Sequence, residues 1–467
     1  MREVYRWVAA GMLALLAGCN LAPRYVTPET PSPPPEYKEM GAWTPARPDD
    51  ASPRGAWWQI MGDARLDALE QQIAKDSPRL AAAVARYSEA RALAYRARAD
   101  LFPELDAKGA ASRVRVVSPS TGPPIQYNDF ALGASISYEL DLWGRIRNLV
   151  AAGNAEERAS AADLADVELG LQAELADDYF ELRGLDARIE LLKQTIAAYD
   201  AALKLTIKRH SGGITSELDV TRAQTQLTSA QADLHQRVAE RALLEHSIAA
   251  LVGKPISGFS IPPDQTLIEP PLVPVTAPSR LLQRRPDVAR AERLVLAANA
   301  RIGVAKAAYF PEITLSSSGG FESTSGSLFT VGNRVWALGP AAALLPLFDG
   351  RRRHADLAQA RAALDEAAAN YRETALESFR EVEDQLALVN RLASASEREA
   401  EAVKAAQRAD QLATIQYRDG AVDYLEVVIA QTAELQARDT QVLLQTRRLV
   451  ACIDLVRALG GSWTATD

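Results

Sequence analysis

The feature that most constrains the fold of this chain is a repeat, because two similar turns lie 207 residues apart. Residues 208–220 read KRHSGGITSELDV, and residues 415–427 read IQYRDGAVDYLEV. Each turn joins two segments with helical periodicity. Gly213 and Gly420 match and supply the left-handed residue that ends a helix, while Ser216 and Asp423 stand where the next helix is capped. The sequence therefore predicts two helical hairpins related by internal duplication.

Other landmarks recur at nearly the same offset, which extends the duplication over both halves of the chain. Phe102-Pro103-Glu104 returns as Phe310-Pro311-Glu312. We predict a first repeat over 63–260, an irregular proline-rich segment over 261–278, a second repeat over 279–461 and a tail over 462–467. Each repeat has a helix, a β-hairpin and a long helical hairpin. The first of these helices is expected to run from Asp63, which can cap it, to about Leu101, and the corresponding helix of the second repeat is expected to begin near 279. The β-hairpins are expected at 105–140 and 313–345, and the helical hairpins at 143–252 and 351–459.

The strand pattern is clearest over residues 130–140, where apolar and small polar residues alternate. The apolar face consists of Phe130, Leu132, Ala134, Ile136, Tyr138 and Leu140. About nine to eleven such residues are enough for a strand that faces lipid on one side and a polar lumen on the other. A half-buried strand of a soluble protein has the same alternation, but it does not explain why hairpins interrupt two very long helices.

The long helices need partners. Leu182, Leu185, Ile189, Leu192, Ile196, Tyr199 and Leu203 are spaced by three and four residues, which is the seam of a coiled coil. A helix of this length, on the order of 100 Å, is far longer than that of a globular domain. Four strands are too few to close a membrane barrel, so several chains must share one. The fold class predicted is a membrane α+β fold with an oligomeric β-barrel continuous with a helical barrel.

The N-terminus is predicted to be a targeting segment. Two arginines precede a short apolar run, and Leu16-Ala17-Gly18-Cys19 resembles a bacterial lipobox. Residues 1–18 are then a signal peptide, and Cys19 carries the lipid. A plain secretory signal with an accidental cysteine is the alternative. Residues 19–62 are rich in proline and are expected to form an extended tether.

The composition excludes several classes of function. The formal net charge is -8 with no basic tract, so we expect no nucleic-acid partner. The two cysteines and four histidines do not have the spacing of a disulfide framework or a metal site. We find no catalytic set, and we predict neither enzymatic activity nor a cofactor. Any free energy for transport must come from a partner.

Together these motifs resemble one known family. Both Phe-Pro-Glu sequences, Asp141-Leu-Trp-Gly-Arg145, Leu-Phe-Asp-Gly-Arg at 347–351, Arg284-Arg-Pro-Asp287 and Trp57-Trp58 are similar to motifs of the TolC-like outer membrane factor family, in its lipoprotein branch. The resemblance implies a homotrimer with a 12-stranded barrel in the outer membrane and a periplasmic α-helical barrel. It also implies a periplasmic adaptor and an inner-membrane transporter of the resistance-nodulation-division type as partners, with outer-membrane lipid around the barrel.

The function implied is that of a passive conduit for drugs or other small molecules, gated at its periplasmic tip. A conduit for a type I protein or peptide exporter, or for a metal exporter, is the alternative. A periplasmic adaptor and a structural coiled-coil lipoprotein are two further alternatives. An adaptor would have one hairpin flanked by lipoyl-like β segments, whereas this chain has two long hairpins. A structural coiled-coil lipoprotein would lack the amphipathic strands.

The resemblance assigns the two turns to the periplasmic tips. It matches Tyr417 and Glu426 to gate positions of the family, and we include Asp423 and Tyr424 of the same turn in the predicted gate. Two departures, Val422 and Ile429, stand where the family can have arginine and aspartate, which argues against a gate held by arginine–carboxylate pairs. We expect the second turn to carry the gate and the first to contribute to adaptor docking. The predicted docking residues are Gly212, Gly213, Ser216, Asp219, Gly420 and Leu425.

Overall fold

Helices and strands follow one another in the same order in both halves of the computed structural model. The structure describes residues 20–29, 37–39, 55–116, 123–271, 273, 284–324 and 326–461, so Cys19 lies outside the described residues. The first half contains α1 (Ala64–Asp76), α2 (Pro78–Ala99), β1 (Glu104–Val116), β2 (Ile125–Glu139), α3 (Arg145–Ser211) and α4 (Glu217–Leu251). The second half contains α5 (Pro286–Ala307), β3 (Glu312–Ser323), β4 (Arg334–Leu344), α6 (Arg352–Arg418) and α7 (Tyr424–Ala458). The mixed helix and strand composition, with four strands, is as predicted.

One predicted helix is divided. The pattern from Asp63 to about Leu101 forms two helices, α1 and α2, because Ser77 precedes a proline and adopts an extended backbone with ψ of 120°. Asp63 caps α1 as expected, since its Oδ1 accepts hydrogen bonds from the backbone N–H groups of Arg65 and Leu66. The predicted start of the helix near 279 lies outside the described residues. No described helix has the length and apolar character needed to span a bilayer.

The chain divides into two compact units, and the first contains the sheet. This unit comprises Arg86–Ala161 and Arg290–Glu373 together with the N-terminal residues. The four strands are antiparallel in the order β1-β2-β3-β4. The outer edges of β1 and β4 therefore have no strand partner among the residues that the structure describes.

The two faces of the sheet differ sharply in polarity. Residues directly opposite each other in the register lie on the same face, and successive residues of a strand lie on opposite faces. Leu132 lies opposite both Gly109 and Phe321, so the apolar residues of neighbouring strands share one face. That face, here called the apolar face, carries Leu105, Phe130, Leu132, Ile136, Tyr138, Ile313, Leu315, Phe321, Trp336 and Leu338. The other face, here called the polar face, is rich in serine and acidic residues.

Two glycines allow β2 and β3 to approach closely. Gly133 lies opposite Gly320 in the register, and both are on the polar face. A Cβ added at Gly320 would lie 2.4 Å from the carbonyl oxygen of Leu132 and 2.6 Å from the Cα of Gly133. Because both contacts are backbone atoms, a side chain at this position would force the strands apart.

The recurring Asp-to-Arg motifs form the junctions from strand to helix. Asp141 accepts hydrogen bonds from the backbone N–H groups of Ile146 and Arg147, at the first turn of α3. Asp349 does the same for Arg351 and Arg353 at the start of α6. A carboxylate at this point satisfies N–H groups that have no partner within the helix and complements the helix dipole. The motif is thus explained by the local backbone.

The motifs of the two repeats also contact each other in this unit. The indole ring of Trp143 stacks on Phe310, with ring centroids 4.7 Å apart. Its Nε1–H donates a hydrogen bond to the carbonyl oxygen of Pro311 at 2.9 Å. The first repeat's Trp-Gly-Arg sequence is therefore held against the second repeat's Phe-Pro-Glu sequence, where strands meet helices.

The second unit contains the main apolar core. It comprises Ala162–Ala289 and Thr374–Asp467 together with Thr30–Ala85. Helices α1, α3, α4, α6 and α7 contribute fully buried side chains to one cluster, among them Leu66, Tyr179, Ile248, Leu386 and Leu449. The narrow apolar seams predicted for the long helices are thus buried here against α1 and against one another.

The irregular segment after α4 is held by buried charged side chains. Arg183 of α3 donates to the carbonyl oxygens of Asp264 and Thr266, at 2.9 and 2.7 Å, and its side chain is only 5% exposed. Arg241 of α4 donates to the carbonyl oxygen of Ile261 at 2.7 Å. These arginines satisfy backbone carbonyls that no helix or sheet could pair. A segment without secondary structure is therefore fixed in place.

Glu70 of α1 is a buried carboxyl group without a hydrogen-bond partner among the described residues. The residue is 2% exposed, and neither carboxyl oxygen is bonded. Burial, with the like charge of Asp67, raises the pKa of Glu70 from 4.5 to about 9. The carboxyl group is therefore neutral in the folded protein at neutral pH.

This burial predicts a pH-dependent stability that the Glu70→Gln variant lacks. The pKa of Glu70 is higher in the folded protein than in the unfolded chain. The free energy of unfolding that Glu70 contributes is therefore fully present below about pH 4.5 and is lost as the pH rises through about 9. We expect the variant, which is neutral and similar in shape, to become more stable than the wild type as the pH rises through this range. Urea unfolding at a series of pH values measures the difference. Parallel pH profiles for the two proteins would contradict the prediction.

Candidate functional site

The candidate site is the pair of helical turns singled out by the repeat, at 212–216 and 419–423. In the first turn, Gly213 has a φ of 71° and its N–H bonds to the carbonyl oxygen of His210. Ser216 then caps α4 through a reciprocal pair of hydrogen bonds with Asp219, each 3.3 Å long. Such a capping box satisfies two N–H groups at once. Gly212 is exposed beside this glycine, and the predicted docking residues of the first turn are therefore also the ones that shape it.

The second turn uses the same backbone but a different cap. Gly420 has a φ of 76°, and its N–H bonds to the carbonyl oxygen of Tyr417 at 3.1 Å. Asp423 occupies the cap position of α7, yet its side chain makes no capping hydrogen bond. Its carboxylate is exposed, as are Glu426 and Leu425 on the first turn of the helix. Both acids of the second turn therefore face solvent.

The two predicted gate tyrosines are brought together, but inside the bundle. Tyr417 and Tyr424 are 5% and 2% exposed, and their rings pack edge to face with centroids 5.3 Å apart. A small apolar cluster surrounds them, made of Tyr199, Leu203, Leu227 and Val427 together with Ala223 and Ala230. In this chain the tyrosines hold the two hairpins together, and they offer no phenol to the surface.

Burial also sets the ionisation of this cluster. Burial, with Tyr417, Tyr199 and the carboxylate of Asp219 nearby, raises the pKa of Tyr424 to about 12. The phenol therefore remains neutral at any physiological pH. Charge at the turns comes from the exposed carboxylates and from neighbouring basic residues.

Arg209, which the repeat did not single out, connects the two turns. Its Nη1 donates to the carbonyl oxygen of Tyr417 at 2.7 Å, and its guanidinium group lies 4.5 Å from the centroid of the Tyr417 ring. The arginine thus belongs to the last turn of α3 but caps the C-terminal end of α6. A cation at that position complements the helix dipole. The only signal in the sequence was its place in the last turn before Gly213.

A groove next to the cluster lies between α4 and α7. It has a volume of about 470 Å³, and the buried Tyr199 is one of its lining residues. The α4 side is mostly polar, and the α7 side is mostly apolar. The lining includes Thr221, Thr225 and Ser229 on one side and Leu425, Val428 and Leu435 on the other. Leu425 is the predicted docking residue that lies in this groove.

The side chains at the two turns do not have the arrangement of a catalytic or metal site. Within the described ranges, no group of three or more histidine, cysteine or acidic side chains is placed to hold a metal ion. What the turns offer instead is two exposed carboxylates, a groove with unequal walls, and one arginine that ties the hairpins together.

Comparison with known proteins gives consistent results. The sequence model of the family described as outer membrane efflux protein matches residues 69–254 and 277–461. The chain is 32% identical over 457 residues to the probable efflux pump outer membrane protein TtgC of Pseudomonas putida, covering 96% of this chain and 94% of the relative. It is 28% identical over 455 residues to the probable outer membrane lipoprotein SilC of Salmonella typhimurium, covering 96% and 97%. Among solved structures, the outer-membrane channel OprN is similar, with a TM-score of 0.87, 29% identity, and coverage of 95% of this chain and 100% of that chain.

The contact between the turns predicts the effect of Arg209→Ala. This change removes a hydrogen bond from a charged donor and the stacking on Tyr417, so we expect opening of residues 415–427 to become easier by about 1–3 kcal/mol. Hydrogen exchange of the backbone amides in this segment measures the change. Lys208→Ala, at the exposed neighbouring position, is the matched control and should leave exchange unaltered. Equal protection in the two variants would show that Arg209 does not hold the turns.

Proposed function

Because this chain belongs to the outer membrane efflux protein family, we propose that three copies of it close one conduit across the outer membrane. The chain is the outer-membrane channel component of a tripartite efflux pump, and it extends into the periplasm. Such a pump also contains a periplasmic adaptor and an inner-membrane transporter. The proposal adds the number of copies, the closure of the barrel and the position of the gate.

The observation that carries this proposal is the sheet with one apolar face and two free edges. Hydrocarbon does not tolerate unpaired backbone groups, so β1 and β4 need partners in the membrane. If β1 of one copy pairs with β4 of the next, each copy contributes four strands and three copies form a closed ring of twelve. The apolar face then contacts lipid, and the polar face lines the lumen.

The two turns are proposed to form the periplasmic tip. Each follows a helix of 67 residues that begins at the strand junction. With three copies, the exposed carboxylates of Asp423 and Glu426 would ring the narrow end of the conduit. Tyr417 and Tyr424 would act from the interior, by holding the second hairpin against Arg209 of the first. In this proposal, opening the gate requires the Arg209 contact to break.

The groove between α4 and α7 is the surface that we propose for binding the periplasmic adaptor. One wall carries hydroxyl groups and the other carries leucine and valine, so it fits an amphipathic helix laid along it. Gly212, Gly213, Ser216, Asp219 and Gly420, which form the turns at the end of these helices, are proposed to complete the docking surface. Cys19 is proposed to carry a lipid, in keeping with the name of the relative SilC, and the proline-rich tether would link this lipid to the body.

Gene deletion tests the proposed function in a bacterium that expresses the cognate transporter. We expect the deletion strain to become more susceptible to exported compounds, because the pump has lost its exit, while the outer membrane remains intact. The wild-type gene should restore resistance. Entry of a dye that an intact outer membrane excludes serves as the control. Unchanged susceptibility, with the transporter present, would contradict the function.

The position of the gate is tested by Glu426→Gln in planar bilayers. A ring of carboxylates favours cations, so we expect the permeability ratio of cations to anions to fall by at least about twofold. Glu217→Gln is the matched control, since Glu217 is also an exposed acid in the first turn of its helix. The reversal potential in a salt gradient measures the ratio. If Glu217→Gln has the larger effect, the gate is at the first turn.

A further inference from the structure

The acidic residues and the arginines of the sheet lie on opposite faces, and Lys108, the one lysine of the strands, lies with the acids. All six acidic residues of the four strands lie on the polar face, namely Glu104, Asp106, Asp129, Glu139, Glu312 and Glu322. All three arginines of the strands lie on the apolar face. Arg113 and Arg115 lie opposite Asn128 and Gln126, and Arg334 lies opposite Phe321. The face that meets lipid in the proposed conduit thus carries only positive charge.

The three arginines are also at one end of the sheet. Arg113 and Arg115 are near the end of β1, and Arg334 is the first residue of β4. In an antiparallel sheet of four strands in sequence order, the end of β1 and the start of β4 lie at the same end. This is the end of the two loops, away from the junctions with the helices. On the neighbouring strand β2, the apolar face carries Phe130 next to this end, and beyond it the polar Asn128 lies opposite Arg113.

These guanidinium groups have no partner in the part of the chain that is described. Arg113, Arg115 and Arg334 are exposed, and none of their side chains makes a hydrogen bond or an ion pair there. Arginines at the other end of the sheet are different. Arg145 pairs with Glu139, and Arg353 pairs with Asp349. Unpaired cations above an apolar surface are costly in hydrocarbon, so a partner of opposite charge is needed where they lie.

The positions on the two edge strands bring these residues together in the assembly. Arg113 and Arg115 are on β1, and Arg334 is on β4, three strand spacings away within one chain. Pairing of β1 with β4 of the next copy reduces this to one spacing, of about 4.8 Å. This step rests on the proposed function, because it needs the closed ring. Each of the three seams would then present three arginines.

We propose that this seam binds the phosphate groups of an anionic lipid in the outer leaflet, of the lipopolysaccharide class. The guanidinium group is planar and matches phosphate oxygens with paired hydrogen bonds. The lipid's acyl chains would lie on the adjacent apolar face, over Phe130 and Leu132. The absence of acidic residues from this face of the described strands removes any competing repulsion. The lipid would therefore stabilise the joint between copies as well as anchor it.

The experiment uses the full chain, purified and placed in phosphatidylethanolamine vesicles with or without lipid A. The variant Arg113→Gln/Arg115→Gln/Arg334→Gln removes the proposed site. The control Arg351→Gln/Arg352→Gln/Arg361→Gln removes the same charge from exposed positions after β4. Lipid A retained per chain is measured by mass spectrometry, and the temperature at which the assembly dissociates is measured alongside.

We expect the wild type and the control to retain lipid A, and the first variant to retain at least about tenfold less, given the strength of charge-assisted bonds to phosphate. Lipid A should raise the dissociation temperature of the wild type and of the control, but not that of the first variant. The corresponding triple lysine variant keeps the charge, shows whether folding is preserved, and should retain most of the lipid. If the Arg113→Gln/Arg115→Gln/Arg334→Gln variant retains as much lipid A as the wild type, the proposal is overturned.

Two further outcomes separate the possible causes. Stabilisation by dephosphorylated lipid A, or by inorganic phosphate alone, would overturn the assignment to a lipid phosphate. The mass of the assembly is determined before lipid is added. If the wild type is not trimeric at that stage, the proposed conduit fails, whereas a trimeric wild type that ignores lipid A refutes only the lipid site.

Discussion

The two unpaired edges of the four-stranded sheet are the constraint on which the rest of the proposed assembly depends. An antiparallel sheet with one apolar face is stable at a membrane only when every backbone N–H and C=O group has a partner. In the described part of one chain, β1 and β4 each leave one edge open. The same edges determine where Arg113 and Arg334 would meet in the proposed ring, so the proposed assembly and the proposed lipid site follow from one property of the backbone.

The duplication produces two hairpins with nearly the same backbone and different side chains. Both turns use a glycine with positive φ, and both are followed by a helix of 35 residues. The first turn uses its polar residues to cap α4, whereas Asp423 of the second leaves its carboxylate free. An exposed acid that makes no capping hydrogen bond is available for another role. This difference, and not the shared backbone, supports placing the gate at the second turn.

Much of the fold could be predicted because periodicity reports directly on local structure. The alternation over residues 130–140 predicted β2 and its apolar face, and the register confirms that Leu132 and Phe321 share that face. Interruption of the first helix at Ser77 was missed, although the proline that follows it was visible. For the candidate site, Tyr417 and Tyr424 were predicted as gate residues, but their burial against each other was not predicted. Arg209 was missed because its partner is 208 residues away.

The sequence by itself determined the duplication, the positions of the turns and strands, and the caps at Asp63 and Ser216, since each depends on neighbours along the chain. Only the tertiary structure decided which side chains became buried and which stayed free. Tyr424 is enclosed because two hairpins pack together, and Arg209 reaches Tyr417 because the end of α3 lies beside the end of α6. The separation of acids from arginines across the sheet also emerged only from the register, because the face of a residue depends on which neighbour it opposes.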